Sequence, residues 1–193
     1  MTMLWGSSDK MTALYIAATG HVLGVATHAG TTDAAVEPSI LAGARLPLRA
    51  SGGPVVLGIP ATHLASALVD HDPRVLVEPR AYTLQDDALT QSAGTLTAAL
   101  DGAKLVVTLP NRIVADTPKL VHIESSVLPA PIDENGVIKA TLAGNLLNPT
   151  PTEFEVELGT VAAGDYWVFV AVSGYRLYFG KLHRDPVEEP PVP

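Results

Sequence analysis

The sequence YWVFVAV, at residues 166–172, is apolar at every position and predicts a β-strand. Successive side chains of a strand point to opposite faces of its sheet, so we expect this strand to be central and covered on both faces. In a two-layer β-sandwich, one face of each sheet is normally in water. Either the face with Trp167 and Phe169 or the face with Tyr166 and Val168 therefore needs an additional cover. The N-terminal half of the chain or another subunit could supply it.

Alternating residues and turn sequences mark the strands around this run. Asp101-Gly102 supplies the positive φ angles of a tight hairpin turn. Residues 153–158 alternate carboxylates with apolar side chains. The strands predicted in this half are residues 95–100, 104–109, 119–124, 137–142, 153–158, 166–172 and 175–179. About seven short strands in this length are typical of an antiparallel β-sandwich, which we predict for residues 95–184.

The connection before the apolar strand has a familiar pattern. Residues 158–165 contain two glycines and lead directly to Tyr166. This resembles the corner of immunoglobulin-like and fibronectin type III-like domains, in which a tyrosine begins the penultimate strand. The resemblance covers the C-terminal half only, and the Cys-Trp-Cys core of true immunoglobulin domains is missing. It implies a fold and carries no activity.

The N-terminal half, residues 11–85, predicts a β-rich lobe in a chain that is mainly all-β. Apolar runs at 13–18 and 22–27 flank Thr19-Gly20-His21 and indicate a β-hairpin. Further strands are predicted at residues 45–49, 55–59, 75–77 and 81–84.

One short helix is predicted at residues 61–69. Pro60 precedes its first turn, and Leu64 and Leu68 share a face at helical spacing. The polar residues 86–94 are the predicted boundary between the two lobes.

Composition excludes several classes of protein. The chain has 193 residues, with 12 Lys and Arg against 20 Asp and Glu, a net charge of −8 and no cysteine. A disulfide scaffold and a cysteine-ligated metal site are excluded. No basic excess exists to neutralise phosphates, so a nucleic-acid partner is not expected. The familiar nucleophile, phosphate-loop, dinucleotide and zinc motifs are missing from the sequence. We therefore expect a protein that is not an enzyme and uses no cofactor.

An uncharged stretch tests for targeting. Residues 11–32 carry no charge and follow Lys10, as in a signal peptide. The run is interrupted by Gly20, His21, Gly24 and His28, so a hairpin is the preferred interpretation over a signal peptide or a membrane span. We expect synthesis in the cytoplasm, no membrane partner, and a place in a released particle as one option.

The strongest metal candidates in the sequence are His63, Asp70, His71 and Asp72. On a helix, His63 and Asp70 would lie two turns apart on one face, where nitrogen and oxygen ligands could meet. The preferred interpretation is that these residues cap and solvate a helix end, because their spacing secures only two ligands. No metal site is predicted.

Carboxylates line one face of a predicted strand. Glu153, Glu155 and Glu157 could bind calcium or act as paired acids. A solvated outer face that discourages edge pairing is the preferred interpretation. The scattered histidines, His21 among them, are expected to be satisfied core or interface residues.

The favoured functional hypothesis is a non-catalytic structural or assembly subunit of a virion, phage-tail or injection-type particle. It would pack against copies of itself or other subunits through apolar β faces and through terminal arms at 1–10 and 185–193. The predicted interface residues are Leu4, Trp5, Trp167, Phe169, Val187, Pro190, Pro191 and Val192.

The alternative is a carbohydrate-binding β-sandwich module or a hydrolase that acts on glycans. Such sites combine aromatic platforms with acidic residues. The candidates are Trp167 and Tyr178, together with the three glutamates of residues 153–157.

Overall fold

The computed structural model describes residues 7–29, 33–49, 55–102, 104–111, 117–125, 147–150, 152–157 and 163–185. Most of these residues lie in β-strands. The α-helices among them are two of five residues each, α1 (Pro38–Ala42) and α2 (Pro73–Val77). The all-β class predicted from the sequence is confirmed.

The N-terminal half is built from strands that pair antiparallel. They are β1 (Ser7–Ile16), β2 (Val22–Ala29), β3 (Arg45–Arg49), β4 (Val55–Pro60), β5 (Leu64–Asp70), β6 (Tyr82–Gln85) and β7 (Ala88–Gln91). One sheet has the order β2-β1-β5, and β3-β4 and β6-β7 form two separate hairpins. The hairpin predicted from residues 13–27 is confirmed as β1-β2.

The C-terminal half contains two antiparallel sheets. Its strands, with the short β8 that leads into them, are β8 (Ala93–Thr95), β9 (Thr97–Asp101), β10 (Lys104–Thr108), β11 (Lys119–Ser125), β12 (Leu147–Thr150), β13 (Glu153–Glu157), β14 (Gly164–Val172), β15 (Tyr175–Arg176) and β16 (Tyr178–Arg184). The sheet orders are β12-β13-β10-β9 and β11-β14-β16. The predicted hairpin around Gly102, which has a φ of 56°, is confirmed as β9-β10. The predicted strand at 137–142 lies outside the described residues.

A first apolar core fills the space between these two sheets. Val168 and Val170 of β14 pack there against Phe154 of β13 and Leu105 of β10, and all four are buried. Tyr166, at the start of β14, is buried in the same core. The two sheets therefore form a seven-stranded sandwich, with one face of β14 turned inward.

A second core covers the other face of β14. Phe169 and Ala171 are 0% exposed and pack with apolar residues of the N-terminal half. The N-terminal members of this core are Leu14, Ile16, Leu23, Leu48, Leu57, Ile59 and Leu64. The N-terminal half of the same chain therefore supplies the cover that the sequence of β14 predicts.

A third core lies on the far side of β1. Met11 and Ala13 point there, opposite in direction to Leu14 and Ile16, and pack with residues of α2 and β6. Strand β1 is therefore covered on both faces, as β14 is. The molecule is a stack of β layers with apolar contacts between successive layers.

The helix predicted at residues 61–69 is wrong. Residues Ala61–His63 form one 3-10 turn, and the rest is β5, which pairs with β1 from Lys10 opposite Asp70 to Ile16 opposite Leu64. The short apolar run fits either period, and a long antiparallel partner decides in favour of the strand.

Three further predictions differ from the structure. Residues 75–77, predicted as a strand, belong to α2, which Asp72 caps. The predicted boundary at 86–94 contains β7 and β8, and β8 pairs in parallel with β15. Residues 7–10 of the predicted N-terminal arm are part of β1.

Candidate functional site

The second core stops short of one end of the β11-β14-β16 sheet and leaves an aromatic pair partly exposed there. Trp167 of β14 contacts Phe179 of β16 with ring centroids 5.6 Å apart and an angle of 34° between the planes. The guanidinium carbon of Arg80 lies 6.0 Å from the centroid of Phe179. Two residues from Trp167, Phe169 is completely buried.

Polar side chains continue the same sheet face beyond the aromatic pair. Asp165 lies opposite His183 in the β14-β16 ladder, and Trp167 lies opposite Lys181. Asp165 accepts hydrogen bonds from Lys181 Nζ at 2.5 Å and from His183 Nδ1 at 2.6 Å. These two donors lower the pKa of Asp165. We call Asp165, Trp167, Phe179, Lys181 and His183 together the Trp167 face.

The predicted interface residues have different outcomes in the structure. Trp167 is only partly buried, so it remains available to a partner. Phe169 was expected at an interface between subunits, and this is wrong because the chain's own second core encloses it. The other six, from the two terminal arms, lie outside the described residues: Leu4, Trp5, Val187, Pro190, Pro191 and Val192.

The residues proposed for a carbohydrate site do not converge. Tyr178 packs against the first core, whereas Trp167 packs against the second, so they lie on opposite faces of one sheet. Glu153 and Glu155 belong to β13 of the other sheet. Glu155 accepts from Lys104 Nζ at 2.7 Å, and Glu157 is exposed, as expected for a solvated outer face.

The metal candidates are also separated. His63 precedes β5 and Asp70 ends it, so seven residues at about 3.3 Å each place them roughly 23 Å apart. Asp70 pairs with Lys10 at 2.6 Å. Asp72 accepts from the backbone and side chain of Arg74, which lowers the pKa of its carboxyl group. His71 follows directly after the strand, and its amide donates to the Asp9 carbonyl. Within the described ranges, no group of three or more acidic or histidine side chains could hold a metal ion.

A buried histidine joins the two halves of the chain. His21 is 0% exposed, with Nε2 2.6 Å from the Tyr175 carbonyl oxygen and Nδ1 2.9 Å from Thr19 Oγ1. The adjacent Arg176 lies 3.7 Å from Glu78, another contact between the halves. The expectation of a satisfied core histidine is confirmed for His21.

The polar part of the Trp167 face was not predicted from the sequence. Lys181 and His183 alternate with the more buried Leu182, a pattern that signals an outward-facing set on β16. Nothing in the sequence fixes the register that places Asp165 opposite His183, because strand pairing is decided by the packing of whole faces.

Comparison with known protein families, with curated proteins and with solved structures gave no significant match. No helix in the described part of the chain is long and apolar enough to cross a membrane.

Proposed function

We propose that this protein is a non-catalytic structural or assembly subunit that docks to another copy of itself through the Trp167 face. The supporting observation is the incomplete cover of one apolar sheet face. The chain's own N-terminal half encloses Phe169 and Ala171, while Trp167 and Phe179 stay partly exposed at the end of the same face. An apolar centre with a rim of charged groups is a common form of protein–protein contact.

Three large apolar side chains outside the Trp167 face add to the exposed surface of the described residues, and one of them is Leu76 of α2 at 39%. Ile40 of α1 is 75% exposed and Val77 of α2 is 86% exposed. Single exposed apolar residues are ordinary. They serve here as matched controls for the Trp167 face, because self-association through non-specific hydrophobic contacts would also weaken when they are replaced.

The test is the mass of the native protein in solution over a wide concentration range, by sedimentation velocity. We expect a discrete assembly that grows with concentration. Trp167→Ser should shift the midpoint of assembly to at least tenfold higher concentration, since a central aromatic contact is worth more than about 1.4 kcal/mol. Ile40→Ser should leave it unchanged. A monomer at every concentration would refute the proposal.

The strand order supports a further proposal about the fold of residues 95–184. Counting β9, β10, β11, β12, β13, β14 and β16 as strands one to seven, one sheet has the order 1-2-5-4 and the other 3-6-7. Immunoglobulin constant-type domains have this arrangement. We therefore propose an immunoglobulin-like sandwich, which by itself implies no activity.

A carbohydrate-binding module is the second candidate, with Trp167 as first expected but with different polar residues beside it. The Trp167 face combines a partly exposed indole with hydrogen-bonding groups of Asp165, Lys181 and His183, a combination that suits a sugar ring. A glycan array with the native protein tests it. Binding that Trp167→Ser abolishes, in a protein that stays monomeric, would favour this candidate over assembly.

A further inference from the structure

A buried arginine lies at the end of the sandwich, without a counter-charge among the described residues. Arg184 is 8% exposed, and two of its three guanidinium nitrogens, Nε and Nη1, are buried and have no hydrogen-bond partner among the described residues. It also takes part in none of the ion pairs that the described residues make. A buried charge without partners is strongly unfavourable, and an arginine cannot escape the cost by losing its proton.

The alternation of β16 places this guanidinium on the inner face of the sandwich. Tyr178 and Leu182 pack against the first core, whereas Phe179 packs against the second. Arg184 follows Leu182 by two residues, so its side chain points to the same face as Tyr178 and Leu182. The neighbouring acid Asp165 points to the opposite face, where Lys181 and His183 occupy both its oxygens.

The position opposite Arg184 on the neighbouring strand is open. Gly164 lies directly opposite Arg184 in the β14-β16 ladder, so a side chain there would share its face. A Cβ atom built at Gly164 would meet no atom within 4 Å. Two buried donor atoms without a hydrogen-bond partner therefore belong to a side chain that shares its sheet face with a position left open among the described residues.

We propose that Arg184 and the open position at Gly164 form a binding site for a small oxyanion, either a carboxylate or a phosphate group. The planar guanidinium presents several N–H donors in a geometry that matches both groups. A bound anion would supply the missing charge and the missing hydrogen-bond acceptors together. This site lies on the inner face of the sheet, so it is separate from the Trp167 face on the outer one.

The test is thermal unfolding of the full chain in sodium phosphate, in sodium acetate and in sodium chloride at equal ionic strength. We expect a saturable rise in Tm with phosphate or acetate, of about 3 °C when the anion is at ten times its dissociation constant. A response to acetate identifies a carboxylate ligand, and a response to phosphate alone identifies a phosphate ligand. Phosphate also stabilises proteins without binding, so the comparison with variants decides.

The decisive variant is Arg184→Met, which keeps the length of the side chain and removes its charge. Its Tm in chloride should equal or exceed that of the wild type, and its anion response should be lost. Lys104→Gln removes a paired surface cation from β10 of the other sheet and should keep the full response. If Arg184→Met does not fold, calorimetric titration of the wild type with each anion gives the answer directly.

Three results would overturn the proposal. One is no heat of binding for either anion. Another is an equal loss of response in Lys104→Gln, which would mark a general effect of surface charge. The third is a response that appears only when Glu188 and Glu189 are both replaced by Gln, since the chain's own C-terminal segment would then supply the counter-charge.

Discussion

The His21 imidazole is neutral and has one defined tautomer. A backbone carbonyl can only accept, so Nε2 must donate to Tyr175 O, and Nδ1 then accepts from the Thr19 hydroxyl. Burial disfavours the charged ring and lowers its pKa below the ordinary 6.5, against the opposing effect of the bond to Tyr175. A second proton on Nδ1 would only reverse its bond to the Thr19 hydroxyl, which can also accept, so burial is the effect that opposes the charged ring.

This environment predicts a loss of stability in weak acid. The unfolded chain binds a proton on His21 below about pH 6.5 and the folded chain resists it, so stability is complete above that pH and falls below it. Between pH 7.5 and 5.5 we expect the free energy of unfolding to drop by about 1 kcal/mol on account of this residue. Urea unfolding at both pH values measures it.

His21→Gln should remove that part of the pH dependence while lowering stability at both pH values. His183→Gln, at an exposed position, is the matched control. Asp72 and Asp165 do not confuse the result, because their pKa values are lowered from 3.8 and their contributions are lost only in stronger acid. An unchanged pH dependence in His21→Gln would show that another group is responsible.

The sequence predicted the burial of a single residue better than it predicted which residues it contacts. The buried state of His21 could be expected from its apolar neighbours, but its acceptor lies 154 residues further along the chain. The same limit explains the failed pairing of His63 with Asp70. Their proximity required a helix, and only the antiparallel pairing with β1 makes that segment a strand.

At the scale of elements, the turn between β6 and β7 is conformationally strained. Asp86 and Asp87 both have positive φ angles, 49° and 62°, and join Gln85 to Ala88 in a two-residue hairpin loop. Left-handed backbone is unfavourable for a residue with a Cβ, although aspartate tolerates it better than most. Such turns favour glycine at the second position.

Asp87→Gly should therefore stabilise the protein by about 0.5–1 kcal/mol, which raises Tm by roughly 2 °C in a chain of this size. Gly102, in the hairpin β9-β10, offers the reverse experiment, because a glycine already stands at this left-handed position, with a φ of 56°. Gly102→Ala should destabilise by about 1 kcal/mol. Calorimetry on both variants measures the two changes in stability, which should have opposite signs. Changes of the same sign would contradict the argument.

The elements that the sequence predicted well are those with both a pattern and a boundary. The alternation of β13 and the glycine of the β9-β10 turn are local signals, and the strand and the hairpin both formed as expected. The residues that precede the run at 75–77 supply no boundary that favours a strand. Pro73 and the capping Asp72 favour a helix start there, and that signal outweighs the β-branched residues.

At the scale of the whole molecule, the two halves share their interior. The second core contains Leu57 and Ile59 from the N-terminal half and Phe169 and Ala171 from the C-terminal half. The hydrogen bond from His21 to Tyr175 crosses the same junction. The apolar surface of β14 predicted correctly that the sandwich needs a cover. Sequence could not show which of two covers is used, because both would bury the same side chains.

A shared interior predicts that the two halves unfold together. Leu57→Ala removes a residue that is 1% exposed in the second core and should cost about 2–5 kcal/mol. Because that core holds both halves, hydrogen exchange in increasing urea should lose protection in β1 and in β10 at the same lowered midpoint. Leu105→Ala, in the first core, is the matched control and should also shift both halves. If Leu57→Ala instead releases β1 while β10 keeps the wild-type midpoint, the sandwich is stable without its cover. The exposed second face of β14 would then be the first surface to consider for contact with another subunit.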